Sequence, residues 1–236
     1  MDTKCLVCVW AHPDDEAFGP VGTLRMAVEQ GWQVALVSAT HGEQGQADPA
    51  LLGPNETLGE RRAAELRCAA RVIGIQHLQI WHYPDGGLSA VPRAELVARI
   101  AAELHRWQPR VVITFGPDGI TGHPDHIAIG AATTEAVRAW RAATATDARL
   151  YYITVRPGRT IPRLDQTAPA PLPPSAILDV SRYAAIKRQA LACHATQRAD
   201  WQPLLADEDW LVVDRFARAE PPVAPDAVPE TTILYA

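Results

Sequence analysis

Up to about residue 155, short apolar runs alternate with longer stretches whose apolar residues recur three and four positions apart. Cys5–Ala11, Gln33–Ala39, His77–Trp81, Val111–Phe115 and Leu150–Val155 are short and rich in Val, Ile and aromatic residues, which predicts strands covered on both faces. Between them, Ala17–Gln30, Gly59–Ile73, Arg93–Trp107 and His126–Ala143 read as helices. Leu66, Ala69, Ala70 and Ile73 trace one apolar stripe, and Leu96, Ile100 and Leu104 another, as helices packed on a sheet require. This alternation predicts an α/β fold with a doubly wound parallel sheet of about five strands and helices on both faces.

The pattern changes after residue 155. Pro157, Pro162, Pro169, Pro171, Pro173 and Pro174 exclude a regular hydrogen-bonded element from 156–176, so this stretch is expected to be a loop or excursion. A short apolar run (Ala176–Val180), a helix candidate (Arg182–Ala195), a strand-like segment (Trp210–Phe216) and a proline-bearing extended tail follow. Without repeats or a low-complexity linker, the expectation is one domain, with a core at 1–155 and a C-terminal elaboration at 156–236.

Composition narrows the function. The 236 residues are 47% hydrophobic and 21% charged, which excludes disorder as a description of the whole chain. A net charge of −5 offers no footprint for phosphate backbones, so nucleic acid is not an expected partner. The start lacks the pattern of a signal peptide, and no stretch reaches the roughly 18 apolar residues of a membrane helix, so a cytoplasmic protein without a membrane partner is expected. Four cysteines (Cys5, Cys8, Cys68, Cys193) do not make a disulfide scaffold, and three of them sit in apolar or Ala-rich runs where free Cys behaves as a small hydrophobe, which fits a reducing compartment. Cys5 and Cys8 match C-x-x-C, but on a strand residues three apart point to opposite faces, which argues against a redox or zinc pair.

The chemistry concentrates in two places. The first strand ends in His12-Pro13-Asp14-Asp15-Glu16, and the fourth runs into a glycine-rich loop closing with His123-Pro124-Asp125-His126. In a doubly wound sheet, the loops at the carboxyl ends of the strands flanking the chain reversal face each other across a crevice. His12, Asp15 and one of His123 or His126 would then form a three-ligand set for Zn²⁺ with an open position, leaving Asp14 and an imidazole for proton transfer. Iron(II) is a second candidate, since affinity order does not fix occupancy. A single His-x-x-Asp is a weak signal, because carboxylates often cap helices; two such clusters at opposed loops are a strong one. Nucleophile-elbow, phosphate-loop and dinucleotide motifs are absent from the sequence.

These two motifs resemble those of the PIG-L/LmbE-like metal-dependent N-deacetylases. The likeness extends to Thr40-His41-Gly42-Glu43-Gln44-Gly45, Arg62 and Glu65, Asp85-Gly86-Gly87-Leu88, and Lys187 with His194-Ala-Thr-Gln197. It implies a Rossmann-like fold without a nucleotide, and removal of an acetyl group from an N-acetylglucosamine-containing small molecule, as in the mycothiol, bacillithiol and chitobiose deacetylases. His12, Asp15 and His126 are implied as metal ligands and Asp14 as general base. His123 is implied as the charged group stabilising the tetrahedral intermediate, and Asp125 as the residue that orients it. Arg62 is implied as substrate-binding, and His194 as a rim residue with the same role. Where the family often has paired glycines, this chain has Gly19-Pro20-Val21-Gly22, so a local backbone difference is expected. The rival readings are an amidase acting on another amide, such as a thiol conjugate, and a metal- or carbohydrate-binding protein without turnover; the spare carboxylate of Asp14 argues against the second. A homo-oligomer is a further expectation, with the proline-rich excursion as a packing surface.

Overall fold

The computed structural model describes residues 4–159, 164–224 and 227–235. Five parallel strands form where the apolar runs predict them: β1 (Cys5–Trp10), β2 (Gln33–Thr40), β3 (His77–Tyr83), β4 (Val111–Phe115) and β5 (Arg149–Ile153). The C-terminal region adds β6 (Ala176–Asp179) and β7 (Val213–Glu220), both antiparallel to their neighbours. Among the described residues the sheet is therefore mixed and seven-stranded, ordered β3-β2-β1-β4-β5-β7-β6, and the expected parallel sheet is only its larger part.

The helices are α1 (Asp15–Phe18), α2 (Val21–Glu29), α3 (Leu58–Ile73), α4 (Arg93–Trp107), α5 (Gly119–Gly122), α6 (Pro124–Thr144), α7 (Ala184–Cys193), α8 (Arg198–Trp201) and α9 (Glu208–Val212). α2, α3 and α7 pack together, as do α4 and α6. The helix expected over Ala17–Gln30 is interrupted at Gly19-Pro20, since Pro20 has no N–H to continue α1. The strand expected from Trp210 starts only at Val213, because the Asp207 carboxylate accepts the Trp210 N–H and caps α9. A capping box between Thr57 and Glu60 starts α3, and Gly74 in the left-handed region ends it.

β1 is buried along its whole length, and Trp10 meets Phe115 edge-on with ring centroids 5.0 Å apart. Cys5 and Cys8 are buried free thiols; burial pushes Cys5 up to about 11 and Cys8 well above its ordinary value, so neither is a thiolate at neutral pH. The other two cysteines run against the reduced state expected of this chain: Cys68 on α3 and Cys193 at the end of α7 form a disulfide across 125 residues of sequence.

One close approach positions the site. A Cβ on Gly130 would lie 2.4 Å from the Phe115 carbonyl oxygen, so glycine lets α6 press against the end of β4. The N-terminus of α6 is thereby held beside the carboxyl end of the strand that neighbours β1.

Candidate metal centre and active site

β1 pairs with β2 on one side and β4 on the other, so the crevice lies between the loops that follow β1 and β4. His12 to Asp15 come from the first loop. His123, the N-cap residue of α6, comes from the second, with Asp125 and His126 in the helix's first turn.

Three donor atoms converge there. His12 Nδ1 lies 3.2 Å from His126 Nε2, which lies 3.3 Å from Asp15 Oδ1; His12 Nδ1 and Asp15 Oδ2 are 3.8 Å apart. The other ring nitrogens are already committed. His12 Nε2 donates to Asp85 Oδ1 at 3.0 Å, with Asp125 Oδ2 at 3.3 Å, and His126 Nδ1 donates to the Gly119 carbonyl at 3.0 Å. These partners fix the tautomers so that two imidazole lone pairs and a carboxylate oxygen face one point. Two facing lone pairs repel unless a proton or a cation sits between them. Ligands of a tetrahedral zinc ion with bonds of about 2.0–2.1 Å stand about 3.3–3.4 Å apart, so the donor set fits a metal in chemistry and in spacing. A second group, His12, His123 and Asp125, also lies close. It fits less well, because the Asp125 oxygens already accept from Gly86 N–H (2.8 Å) and Leu88 N–H (3.0 Å).

The electrostatics agree with a cation site. Burial works against a charge on His12, but hydrogen bonds to Asp125 and Asp85 and the charge of Asp15 outweigh it and lift the metal-free imidazole to about 10. Burial also opposes the charge on Asp15, yet His126 and His12 hold that carboxyl well below the usual range.

Asp14 sits at φ 112, ψ −24, in the left-handed region. Its backbone N–H donates to Glu16 Oε2 at 3.1 Å, and its Oδ2 accepts from Arg62 Nη2 at 2.9 Å. Burial raises its carboxyl, Arg62 opposes that and Asp15 adds to it, leaving it at about 6. Arg62 is buried, and its guanidinium is used on the protein itself: Nη1 donates to the Gly42 carbonyl and Nη2 also to Pro13, both at 2.7 Å. It holds Asp14 and the loops after β1 and β2 together.

Three expectations need correction. Asp125 does not orient the His123 ring through its carboxylate; its backbone N–H donates to His123 Nδ1 at 3.1 Å, while the side chain turns to Gly86, Leu88 and His12. Nor is His123 favoured as an imidazolium: burial, His126 and His12 push it down to about 4, and with Nδ1 accepting, the proton resides on Nε2. His194 is not at a rim. It is fully buried, its Nε2 lies 2.6 Å from Glu16 Oε1, and its backbone carbonyl accepts from Trp201 Nε1 at 2.9 Å, which places Trp201 in the packing as well. Burial opposes a charge on His194, but Glu16 outweighs it and raises the imidazole.

Asp85 was given no role by the sequence, although the segment Asp85-Gly86-Gly87-Leu88 stood out there. Its carboxylate orients His12, and the amides that follow it hold Asp125. Glu43 Oε1 accepts the Asp85 N–H and Asp85 Oδ2 accepts the Gln44 N–H, so the loop after β2 fixes Asp85 in turn.

A family profile described as "PIG-L: GlcNAc-PI de-N-acetylase" matches residues 7–137, which span β1 through most of α6 and include every candidate ligand. The chain belongs to the PIG-L family. A PIG-L relative in Rhodococcus jostii, a 1D-myo-inositol 2-acetamido-2-deoxy-alpha-D-glucopyranoside deacetylase, is 31% identical over 90% of this chain and 92% of its own length. Among solved structures, a conserved protein of Thermus thermophilus superposes with a TM-score of 0.70 at 24% identity, covering 98% of each chain. The N,N'-diacetylchitobiose deacetylase of Pyrococcus horikoshii gives 0.68 at 20%, covering 92% of this chain and 84% of its own. At these identities the two structures bear on the fold. No helix among the described residues is long and apolar enough to cross a membrane.

Proposed function

We propose that this PIG-L chain is a zinc-dependent N-deacetylase acting on a small N-acetylglucosaminyl conjugate, with N-acetylglucosaminyl-inositol as the first substrate to test. The convergence of His12 Nδ1, His126 Nε2 and Asp15 Oδ1 beside a spare buried carboxylate carries this reading. Family membership and the deacetylase relative support the substrate class. Because β6 and β7 join the sheet of the parallel strands, the core at 1–155 and the elaboration at 156–236 are taken as one catalytic domain.

His12, Asp15 and His126 would hold the ion. A zinc ion there would lower the pKa of water to about 7 and act as a Lewis acid toward the amide carbonyl. Asp14 takes the proton of the attacking water. Arg62 occupies Oδ2, and among the described residues no protein donor meets Oδ1, which is left to accept it. With its carboxyl raised to about 6, Asp14 is ionised at neutral pH yet more basic than an ordinary carboxylate, as a general base should be. His123 acts as a neutral Nε2–H donor toward the carbonyl oxygen as charge develops on it. Asp125 serves His12 and the Gly86–Leu88 turn.

The test is acetate release from N-acetylglucosaminyl-inositol by zinc-loaded protein, with Asp14→Ala as control. Release that collapses in the variant while zinc stays bound supports the assignment. No release from any N-acetylglucosamine conjugate by zinc-loaded wild type overturns it in favour of an amidase or a binding protein.

A further inference from the structure

A second polar cluster is buried behind the site, and the chemistry just described does not use it. We propose that the segment His194-Ala195-Thr196-Gln197 is a positioning clamp for Asp14, an inference that rests on the deacetylase reading.

Asp14 holds a backbone conformation that residues with side chains rarely adopt, so its surroundings must impose it. Two side chains grip it, a loop holds one of them in turn, and the segment reaches the structure behind all three. The first contact is the Asp14 N–H to Glu16 Oε2; Glu16 is fully buried, and its other oxygen is held by His194 Nε2 at 2.6 Å. The second is Arg62, carried on α3; three residues along that helix, the buried Glu65 accepts from Thr196 N–H at 3.0 Å and Thr196 Oγ1 at 2.6 Å. Arg62 is itself held by the loop after β2, whose Gly42 carbonyl takes its Nη1; Gln197 Nε2 donates to the Gln46 carbonyl of the same loop at 3.2 Å.

Buried carboxylates are costly where an apolar side chain would pack, and a pair of them is weak evidence for stability alone. Glu16 and Glu65 are each tied to this one segment and to an element that grips Asp14. Trp201 closes the arrangement from behind by donating to the His194 carbonyl. Among the described residues no hydrogen bond joins His194, Thr196 or Gln197 to a candidate ligand; they act through Glu16, α3 and the β2–α3 loop.

The experiment compares His194→Ala, His194→Gln and Glu16→Gln in zinc-loaded protein. It measures kcat and KM for acetate release, bound zinc, and amide hydrogen exchange at Asp14. His194→Ala is expected to lower kcat about 10- to 100-fold, the range for an outer-shell partner, with KM and zinc content within about twofold of wild type. Exchange at the Asp14 amide is expected to speed up by about tenfold or more in His194→Ala and to a smaller extent in Glu16→Gln. His194→Gln, which keeps a nitrogen donor for Glu16, is expected to recover most of both. An unchanged kcat, a rise in KM alone, or an unaltered Asp14 amide overturns the clamp. If His194→Ala does not fold, an unaltered Asp14 amide in Glu16→Gln has the same force, and an accelerated one with His194→Gln near wild type supports the clamp. Wild-type protein that releases no acetate refutes the deacetylase reading, whereas the amide measurement still decides the clamp.

Discussion

Reducing the Cys68–Cys193 bond should cost the protein much of its stability while leaving its native contacts in place. The bond closes a loop of 125 residues, with the two Cα atoms 5.7 Å apart. The chain-entropy relation for a loop of that length gives about 16–17 cal/mol/K, or about 5 kcal/mol at 25 °C, lost from the unfolded ensemble. On the native side, the packing of α3 on α7 and the hydrogen bonds from Thr196 to Glu65 do not require the bond, so most of the effect appears in the unfolded state. Urea unfolding with and without reductant should show a loss of about 3–5 kcal/mol. Thermal unfolding should shift down by roughly 6–20 °C for a chain of this size. Thiol titration of the denatured, unreduced protein should detect only Cys5 and Cys8. Four titratable thiols, or a stability change under about 1 kcal/mol when the bond is shown to be present, would refute the reasoning.

Other outcomes follow from the site. Because Asp14 must be ionised to act as base and its carboxyl lies at about 6, kcat/KM should fall as pH drops through about 6, or lower once a cation sits beside it; an acid limb above pH 7 excludes Asp14 as that base. His12 in the metal-free protein is lifted to about 10 and is therefore protonated at neutral pH, so zinc binding should release about one proton and weaken as pH falls. Calorimetry in buffers of different ionisation enthalpy reads that proton directly, and its absence contradicts the charge state given to His12. Gly130→Ala places a methyl 2.4 Å from the Phe115 carbonyl oxygen and should push α6, with His126, away from β4. A stability loss of about 1–3 kcal/mol by urea unfolding is expected, together with weaker zinc binding in a chelator competition; unchanged zinc affinity would separate α6 placement from the metal centre.

What was legible in the sequence was local, or tied to one topological rule. The apolar runs of β1 to β5 needed no partner to be recognised, and the two His-Pro-Asp segments could be joined because a doubly wound sheet brings those loops together. The break between α1 and α2 turns on the single missing N–H of Pro20, against an otherwise continuous helical pattern. Glu16 and His194 are 178 residues apart, and Glu65 and Thr196 are 131 apart; no periodicity links such positions, so His194 was placed at a rim when it lies in the interior. The relation between His123 and Asp125 failed for another reason. Proximity along the chain does not make side chains face each other, and at the start of α6 the His123 ring folds back onto the Asp125 amide while the Asp125 carboxylate reaches the turn after β3.

The sheet's order along the chain also bears on how the protein is made. All three candidate ligands lie at or before His126, whereas β6, α7, the segment from His194 to Gln197 and β7 come later. At a synthesis rate of about 5–20 residues per second, roughly 4 to 14 seconds separate the emergence of His126 from that of Gln197. A nascent chain can thus expose a complete ligand set while Glu16, Glu65 and the β2–α3 loop still lack their partners in the segment from His194 to Gln197. On the proposed ligand and clamp assignments, metal capture can precede catalytic competence, and a C-terminally clipped chain is expected to hold its ion without working as a hydrolase.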